Sequence, residues 1–375
     1  MTYCIHTNIL DDYCFLSEVY LLIENGIVCN ISTEPITGSI DYTDSLMGPC
    51  LFNIHCHLGE SLYTLDPSQQ WSIKKYIEYT ESINSNLTDA DKAIFWEQSA
   101  RLTASKQLEN GVSGICAARS ADICKQFRLN CMTGYPIMNS DKLRCYKNKG
   151  IEGFLRFLTD GKTNNCSVGV FFHSLYSNDD ESLRLASSCM ERGAEFLTIH
   201  LSEDQETRIL EMKAFGQEPI NVLNNYGLLN ERTIIVHGGF LSSNELDLIS
   251  KRNATIAICP ISNKVLNTRM PDLRRIRDLG INWCIASDGL ATGKSFSLLD
   301  QIEELKKYYP DISSYELYDS CTRNCAKLFH RDIYTGRIAV GSEARFIRYL
   351  NIDKQNSNLI DQILSVKKNT EINEF

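Results

Sequence analysis

Residues 53–60 read NIHCHLGE, and this stretch decides the fold of the chain. The apolar run before it predicts a strand over Cys50–His55 that carries two histidines at its carboxyl end. Side chains alternate along an extended strand, so His55 and His57 point to one side and Cys56 to the other. Two imidazoles that project together suit a divalent metal, although an isolated pair at this spacing is as often two core or surface histidines.

Seven further apolar runs follow the first, and longer segments separate them. Helical patterns come after nearly all of them, as at Asp179–Arg192, Asn244–Lys251 and Phe296–Tyr309, whereas Asn139–Lys149 has weak periodicity. This alternation predicts an α/β fold, a (β/α)8 TIM-like barrel. The eight predicted strands are Cys50–His55, Ser113–Ala117, Asn130–Tyr135, Val168–His173, Phe196–His200, Thr233–His237, Thr255–Cys259 and Trp283–Ser287.

The two ends of the chain have a different pattern, that of antiparallel β structure. The runs at Val19–Ile23 and Ile27–Ile31 flank an Asn-Gly pair and predict a hairpin. Thr335–Gly341 and Arg345–Leu350 show a short β pattern again. We therefore expect a small β-sandwich domain formed by residues 1–48 and 335–375, and a barrel over residues 49–334.

Composition narrows the class of protein. The 375 residues are 43% hydrophobic and 23% charged, as in an ordinary globular protein, and their formal net charge is -9. A negative field repels polyanions, so neither nucleic acid nor an anionic membrane is an expected partner. No apolar run approaches the roughly 18 residues of a membrane span, and the N-terminus lacks the apolar core of a signal peptide, so we expect a cytoplasmic protein.

The fifteen cysteines could indicate disulfides or a zinc cluster. Their spacing argues against both, because no C-x-x-C occurs and many cysteines lie inside apolar runs. We therefore expect reduced cysteines that are buried in the core.

Five of the seven histidines stand at the ends of predicted strands, namely His55, His57, His173, His200 and His237. Barrel active sites form at the carboxyl ends of the strands, so these side chains are expected to meet. Asp288, after the last strand, is a fourth candidate metal ligand beside His55, His57 and His200, or else a helix N-cap. His237 is either a further ligand or, as we favour, a group that hydrogen-bonds the metal's water and polarises the substrate.

Other residues at the predicted barrel mouth are weaker candidates for substrate contacts. Arg119 follows the second strand and could clamp an anionic group, although a solvated arginine is the commoner outcome. Glu60, Tyr63 and Trp71 lie on the loop after the first strand, where a specificity wall or simple rim packing would be found.

Several segments together resemble the amidohydrolase superfamily. The resemblance is closest to its deaminase branch, which includes methylthioadenosine/S-adenosylhomocysteine deaminases, guanine deaminases and triazine hydrolases. It covers almost the whole predicted barrel and also both predicted terminal β segments. The segments that carry it are Asn53–Glu60, His200–Glu203, Val236-His237, Cys259–Asn263 and Ser287–Gly289.

The resemblance implies that His55, His57, His200 and Asp288 bind one divalent metal, Zn²⁺ or alternatively Fe²⁺. It implies that Glu203 shuttles the water proton to a ring nitrogen and then to the leaving amine, with Asp288 assisting as a base. It implies that His237 orients the hydroxide held by the metal. The expected reaction is then hydrolytic deamination of an amino-substituted heterocycle, such as a purine or pyrimidine, with release of ammonia.

The chain also departs from relatives in this superfamily. The fourth predicted strand has no lysine to bridge two metals, so one metal is expected. His173 resembles a histidine that contacts substrate in nucleoside-acting deaminases, or else it caps a loop. Residues 82–88 contain no acid where those relatives carry a ribose-binding glutamate, which argues against a ribosyl substrate.

Two other functions compete with deamination. The same centre could cleave a cyclic amide or displace halide from a ring, since hydroxide attack at an sp² carbon is common to all three reactions. A catalytically silent relative that binds a ligand is the third hypothesis. The expected partners are a small heterocyclic substrate and, as a candidate assembly, a second copy of the chain.

Overall fold

The computed structural model of the chain describes residues 1–11, 14–139, 150–162, 165–329, 336–353, 358–366 and 370–374. The weakly periodic segment Asn139–Lys149 lies outside this part of the chain except for Asn139, and so does Thr335. The chain divides into two compact units. The first comprises Met1–Asn53, Ser105–Gly114 and Phe296–Phe375, and the second comprises Ile54–Ala104 and Ile115–Ser295.

The first unit contains a six-stranded sheet to which both ends of the chain contribute. Its strands are β1 (Thr2–Asp11), β2 (Cys14–Glu24), β3 (Ile27–Ser32), β4 (Ile40–Pro49), β13 (Arg345–Tyr349) and β14 (Thr370–Glu374). They lie in the order β14-β13-β4-β1-β2-β3. All neighbours are antiparallel except β1 and β4, which are parallel.

The predicted N-terminal hairpin is confirmed. β2 pairs with β3 in antiparallel register around Asn25 and Gly26, which both have positive φ, at 51° and 79°. Two successive residues with positive φ are what a tight hairpin turn of this hand requires. Buried side chains such as Ile5, Leu21 and Phe346 form the core beneath the sheet.

The predicted fold class is also confirmed, because eight parallel strands form a nearly closed barrel with helices between them. The strand order β12-β11-β10-β9-β8-β7-β6-β5 runs consecutively along the chain, as repeated βα units require. The domain boundaries at residues 48/49 and 334/335 stay a prediction. The barrel strands are β5 (Leu51–Asn53), β6 (Val112–Ala118), β7 (Asn130–Ile137), β8 (Cys166–Ser174), β9 (Leu197–Leu201), β10 (Thr233–His237), β11 (Thr255–Ile258) and β12 (Trp283–Ile285).

The helices begin and end close to the predicted positions. The predicted helix Asp179–Arg192 is observed with Asp179 as its N-cap, and Asn244–Lys251 is preceded by a capping box formed by Ser242 and Glu245. The described helices are α1 (Ile73–Asn84), α2 (Asp89–Glu109), α3 (Ala121–Gln126), α4 (Gly150–Gly161), α5 (Asp180–Glu191), α6 (Gln205–Phe215), α7 (Pro219–Asn225), α8 (Ser243–Arg252), α9 (Pro260–Val265), α10 (Leu273–Asp278), α11 (Leu290–Gly293), α12 (Leu298–Tyr308), α13 (Ser314–Asp319), α14 (Arg323–Ala326) and α15 (Leu359–Val366).

The cysteines and the helix lengths each bear on a prediction made from the sequence. The thirteen cysteines whose side chains the structure describes are free thiols, and most are buried, which confirms the expected reduced core cysteines. Among the described residues, none of the helices has both the length and the apolar character needed to span a membrane.

Candidate metal centre

The six residues predicted for the catalytic centre lie in the second compact unit, at or just beyond the carboxyl ends of barrel strands. β5 ends at Asn53, two residues before the predicted end of that strand. The His55 carbonyl instead accepts a hydrogen bond from Asp288 N at 3.2 Å. This bond joins the segments that follow the first and last barrel strands. It thereby brings His55 and Asp288 close together.

Three imidazoles and one carboxylate converge at the centre of the site. One ligand atom from each of His55, His57, His200 and Asp288 lies within 4.8 Å of all the others. His200 Nε2 is 3.1 Å from His55 Nε2 and 3.2 Å from His57 Nε2. Asp288 Oδ1 is 3.4 Å from His55 Nε2 and 3.2 Å from His57 Nε2. A tetrahedron with Zn–N bonds of about 2.0–2.1 Å has edges of about 3.3 Å, so these separations fit one ion.

Hydrogen bonds to the outer ring nitrogens indicate which atoms would face an ion. His200 Nδ1 donates to the His173 carbonyl at 2.7 Å, so its proton lies on Nδ1 and its Nε2 carries a lone pair. His57 Nδ1 lies 2.9 Å from Glu60 Oε1, which likewise places a proton on Nδ1. With their protons on Nδ1, His57 and His200 offer Nε2 lone pairs to a cation. The donor set therefore fits a divalent metal.

Burial and neighbouring charges set the protonation of this cluster. Burial lowers the pKa of His55 to about 4 and holds the pKa of His200 well below its usual range, so both rings are neutral. Burial also acts to lower the pKa of His57, but the Glu60 and Asp288 carboxylates raise it to about 9. Burial acts to raise the pKa of Asp288, but its hydrogen bond to His55 and the nearby imidazoles hold it well below its usual range. Asp288 is therefore ionised while His55 and His200 are neutral, which are the forms in which these groups bind a metal.

The second oxygen of Asp288 is held by hydroxyl groups that the sequence analysis did not single out. Ser262 Oγ, on α9, donates to Asp288 Oδ2 at 2.6 Å, and Thr292 Oγ1, on α11, donates at 3.2 Å. Oδ1 is thereby directed at the histidines. The alternative that Asp288 is a helix N-cap is not observed, because Gly289 occupies that position of α11. The spacing Asp-x-x-x-Thr is the signal that could have indicated Thr292.

Glu203 and His237 form a buried pair beside the metal ligands. Glu203 Oε1 lies 3.4 Å from His237 Nε2. Asn263 Oδ1 accepts from His237 Nδ1 at 2.8 Å, while Asn263 Nδ2 donates to the Arg269 carbonyl, which fixes the orientation of the amide. Burial raises the pKa of Glu203 to about 7, so this carboxyl group can both hold and release a proton near neutral pH.

Four residues after barrel strands have left-handed backbone conformations that side chains other than glycine rarely adopt. Their φ angles are 53° for Arg119, 48° for Ser202, 69° for His237 and 60° for Asp288. Such conformations cost about 1–3 kcal/mol each and persist where the surrounding structure enforces them. Three of the four residues are in or next to the candidate centre, so unfavourable backbone conformations contribute to its geometry.

The residues predicted to contact substrate fall into two groups. Glu60 and His173 contact two of the candidate metal ligands, His57 and His200, and His173 Nδ1 lies 2.8 Å from Ser177 Oγ. For Tyr63, Trp71 and Arg119, the described contacts are with residues outside the histidine cluster, or the side chain is exposed. The Tyr63 hydroxyl donates to Asn84 Oδ1 and the Trp71 indole donates to the Asp66 carbonyl, whereas Arg119 is exposed.

A buried polar network on α6 supports the loop that carries Glu203. Ser202 N donates to Glu211 Oε2 at 3.1 Å, and Arg208 Nη1 donates to Ser202 Oγ at 3.0 Å. Arg208 also pairs with Glu218 and Glu245. Burial raises the pKa of Glu211 to about 8, and its Oε1 has no partner among the described residues. Sequence reasoning missed this network because nothing in its spacing marks it.

This shift in the pKa of Glu211 predicts how stability depends on pH. Because its pKa is higher in the folded protein than the ordinary 4.5, Glu211 stabilises the fold below pH ~4.5 and loses that contribution as the pH rises through about 8. We expect Glu211→Gln to gain stability relative to the wild type across this window, by at most about 1.4 kcal/mol per pH unit. Urea unfolding at several pH values measures the difference, and a difference independent of pH would contradict the prediction.

The fold and the centre together define a class of protein. A barrel with three histidines and an aspartate converging at the carboxyl ends of its strands is a metal-dependent barrel hydrolase. The chain belongs to the amidohydrolase family, whose model matches residues 46–371.

Individual relatives agree with this assignment. The chain is 29% identical over 299 residues to a 5-methylthioadenosine/S-adenosylhomocysteine deaminase of Pyrococcus furiosus, which covers 75% of this chain and 69% of that protein. The match to the structure of E. coli guanine deaminase spans 100% of this chain and 98% of that chain, with a TM-score of 0.86 and 16% identity. The match to an adenosine deaminase from Xanthomonas campestris with bound zinc spans 98% of this chain and 90% of that chain, with a TM-score of 0.82 and 16% identity. At these identities the two structures show a shared fold alone.

Proposed function

We propose that the protein is a hydrolytic deaminase of an amino-substituted heterocycle, a purine, pyrimidine or related ring, and releases ammonia. The observation that carries the proposal is Glu203, a buried carboxyl group with a pKa near 7 that lies beside His237 and the four-ligand cluster. The relatives support the same reaction, because those reported above are named as deaminases of adenosine derivatives or guanine.

We assign the metal site to His55, His57, His200 and Asp288, with Zn²⁺ as the metal. A zinc-bound structure among the fold neighbours and the nitrogen-rich donor set both support zinc. When bound, a divalent cation supplies Lewis-acid activation of water, lowering the pKa of that water toward about 7. Zinc can also take a fifth ligand beyond four protein groups, which would admit water.

The residues of the chain manage the protons of the reaction. Glu203 takes one proton from the attacking water and delivers it to the ring nitrogen of the substrate. It then passes the second proton of that water to the amino group, so that the C–N bond breaks and ammonia leaves. A carboxyl group with a pKa of about 7 suits each of these transfers. Asp288 assists as a base through the ionised carboxylate that Ser262 and Thr292 orient. His237, held by Asn263, positions the water and stabilises the tetrahedral intermediate.

Of the residues predicted to contact substrate, we retain His173, Arg119, Tyr63 and Trp71, because both carboxylate oxygens of Glu60 have partners within the protein. His173 has the strongest support, because its ring centroid lies 5.1 Å from that of His200. We also propose a cytoplasmic location, which free thiols favour, and a homodimer that light scattering in solution would test.

The test of the proposed function is ammonia release. Purified, zinc-loaded protein is incubated with aminated purines, pyrimidines, nucleosides and pteridines, and both ammonia and organic products are measured. Ammonia with a matching oxo-heterocycle is the expected result. A ring-opened acid or free halide in its place would favour the alternative hydrolases, and the absence of any turnover across the panel would reject an enzymatic role for this centre with these substrates.

A further inference from the structure

Both carboxylate oxygens of Glu60 are engaged by groups of the second compact unit. Oε1 lies 2.9 Å from Nδ1 of His57, a proposed metal ligand, and Oε2 accepts a hydrogen bond from the Tyr76 hydroxyl on α1 at 2.5 Å. The Glu60 side chain is only 22% exposed. A carboxylate whose two oxygens both have such partners is held in place rather than presented to a substrate.

Gly289 makes room for this arrangement. A Cβ atom at position 289 would lie 2.3 Å from Glu60 Oε2, well inside contact distance. The backbone of Gly289, with φ -73° and ψ 148°, is one that alanine adopts without strain. Glycine at this position therefore leaves the space that the Glu60 carboxylate occupies, and a larger residue would make that side chain move.

We propose that Glu60 is a positioning residue for the metal ligand His57. The Tyr76 hydroxyl holds the Glu60 carboxylate in place, and the absence of a side chain at Gly289 leaves the space for that carboxylate. The carboxylate holds the proton of His57 on Nδ1, so Nε2 keeps its lone pair directed at the metal. A carboxylate that accepts from a metal-bound imidazole also raises the basicity of that imidazole. Glu60 thus acts on metal affinity, in place of the substrate contact expected from its position in the sequence. This inference rests on the proposed metal site, and hence on the proposed function.

The geometry of Tyr76 supports its assigned part. Burial, followed by the charge of Glu60, raises the pKa of Tyr76 well above its usual range, so the phenol keeps its proton and donates it. Tyr76→Phe removes this donor but leaves the ring. Glu60 then loses one of its two anchors but keeps its contact with His57, so a smaller loss of metal affinity is expected than on removing the carboxylate.

Zinc affinity, measured by competition with a chelator, tests the proposal without any turnover. Glu60→Ala is expected to weaken zinc binding by about 10–100-fold. Glu78→Ala, which removes an exposed carboxylate from the same helix as Tyr76, controls for the loss of one negative charge and is expected to change affinity little. The absorption spectrum of the Co²⁺ form should change in Glu60→Ala but not in Glu78→Ala, because only the first alters the ligand His57.

A double-mutant cycle separates the role of Gly289 from a general loss of packing. Gly289→Ala alone should weaken zinc binding because its methyl group displaces the Glu60 carboxylate. The same substitution in a Glu60→Ala background should cost little further affinity, since the displaced group is gone. Additive losses in the cycle, or equal zinc affinities of the wild type and Glu60→Ala, would overturn the proposal. A protein that binds zinc as expected but releases no ammonia would reject the proposed function and leave this result standing.

Discussion

Replacement of Glu203 with glutamine is expected to lower kcat for ammonia release by about 10²–10⁴-fold, the usual contribution of a positioned general acid or base. Glutamine keeps the size of the side chain but cannot take up or give back a proton. Glu203 is buried and its pKa is raised to about 7, so it is the group near the cluster best suited to this role. Steady-state kinetics with the substrate found in the ammonia assay measures the effect.

Two controls make the interpretation of Glu203→Gln specific. Its zinc content should equal that of the wild type, because Glu203 is not among the four converging ligands. Glu206→Gln removes a neighbouring carboxylate that is exposed on the first turn of α6, and it is expected to retain full activity. If Glu203→Gln turned over as fast as Glu206→Gln, the assignment of the proton shuttle would be wrong.

Removal of the metal is expected to have the other large effect, a loss of all detectable turnover that zinc restores. The reason is that water alone, without Lewis-acid activation, is too weak a nucleophile near neutral pH. His200→Ala should abolish stoichiometric zinc binding and turnover together, because His200 Nε2 lies within 3.2 Å of the corresponding atoms of both His55 and His57. Elemental analysis and the ammonia assay, made on the same samples, provide the measurement.

A matched variant guards against a general effect of losing an imidazole. His6 stacks on Tyr20 in the six-stranded sheet, with ring centroids 4.3 Å apart, so His6→Ala should leave zinc content and turnover unchanged. Turnover by the chelated wild type, or one bound zinc per chain in His200→Ala, would refute the proposed ligand set.

Much of the centre could be predicted from sequence because two periodic rules act together. Side chains alternate along a strand, and the carboxyl ends of the strands in a βα barrel meet on one face. Residues as far apart as His55 and Asp288 were therefore expected to converge, and their ligand atoms lie 3.4 Å apart. The length of the first strand was less predictable, since β5 ends at Asn53 and the His55 carbonyl accepts a hydrogen bond from Asp288 N.

The groups that surround the ligands could not be predicted in the same way. Glu60 was expected to line the substrate site because it follows the first strand. Its spacing of three residues from His57 does not determine the direction of its carboxylate. Its direction depends on Tyr76, sixteen residues along the chain, and on space beside Gly289. The hydrogen bond between Ser202 N and Glu211 likewise depends on how α6 packs against the loop after β9.

The motif at residues 53–60, together with the alternation of strands and helices, was enough to determine the barrel and the ligand types, because both follow from local periodicity and from a topology with few solutions. The tertiary structure alone decided which ring nitrogens of the histidines lie together, which buried carboxyl group has a pKa of about 7, and which acid contacts His57. Those properties arise from burial and hydrogen bonds between segments distant in sequence, and residue order does not encode such contacts in any local pattern.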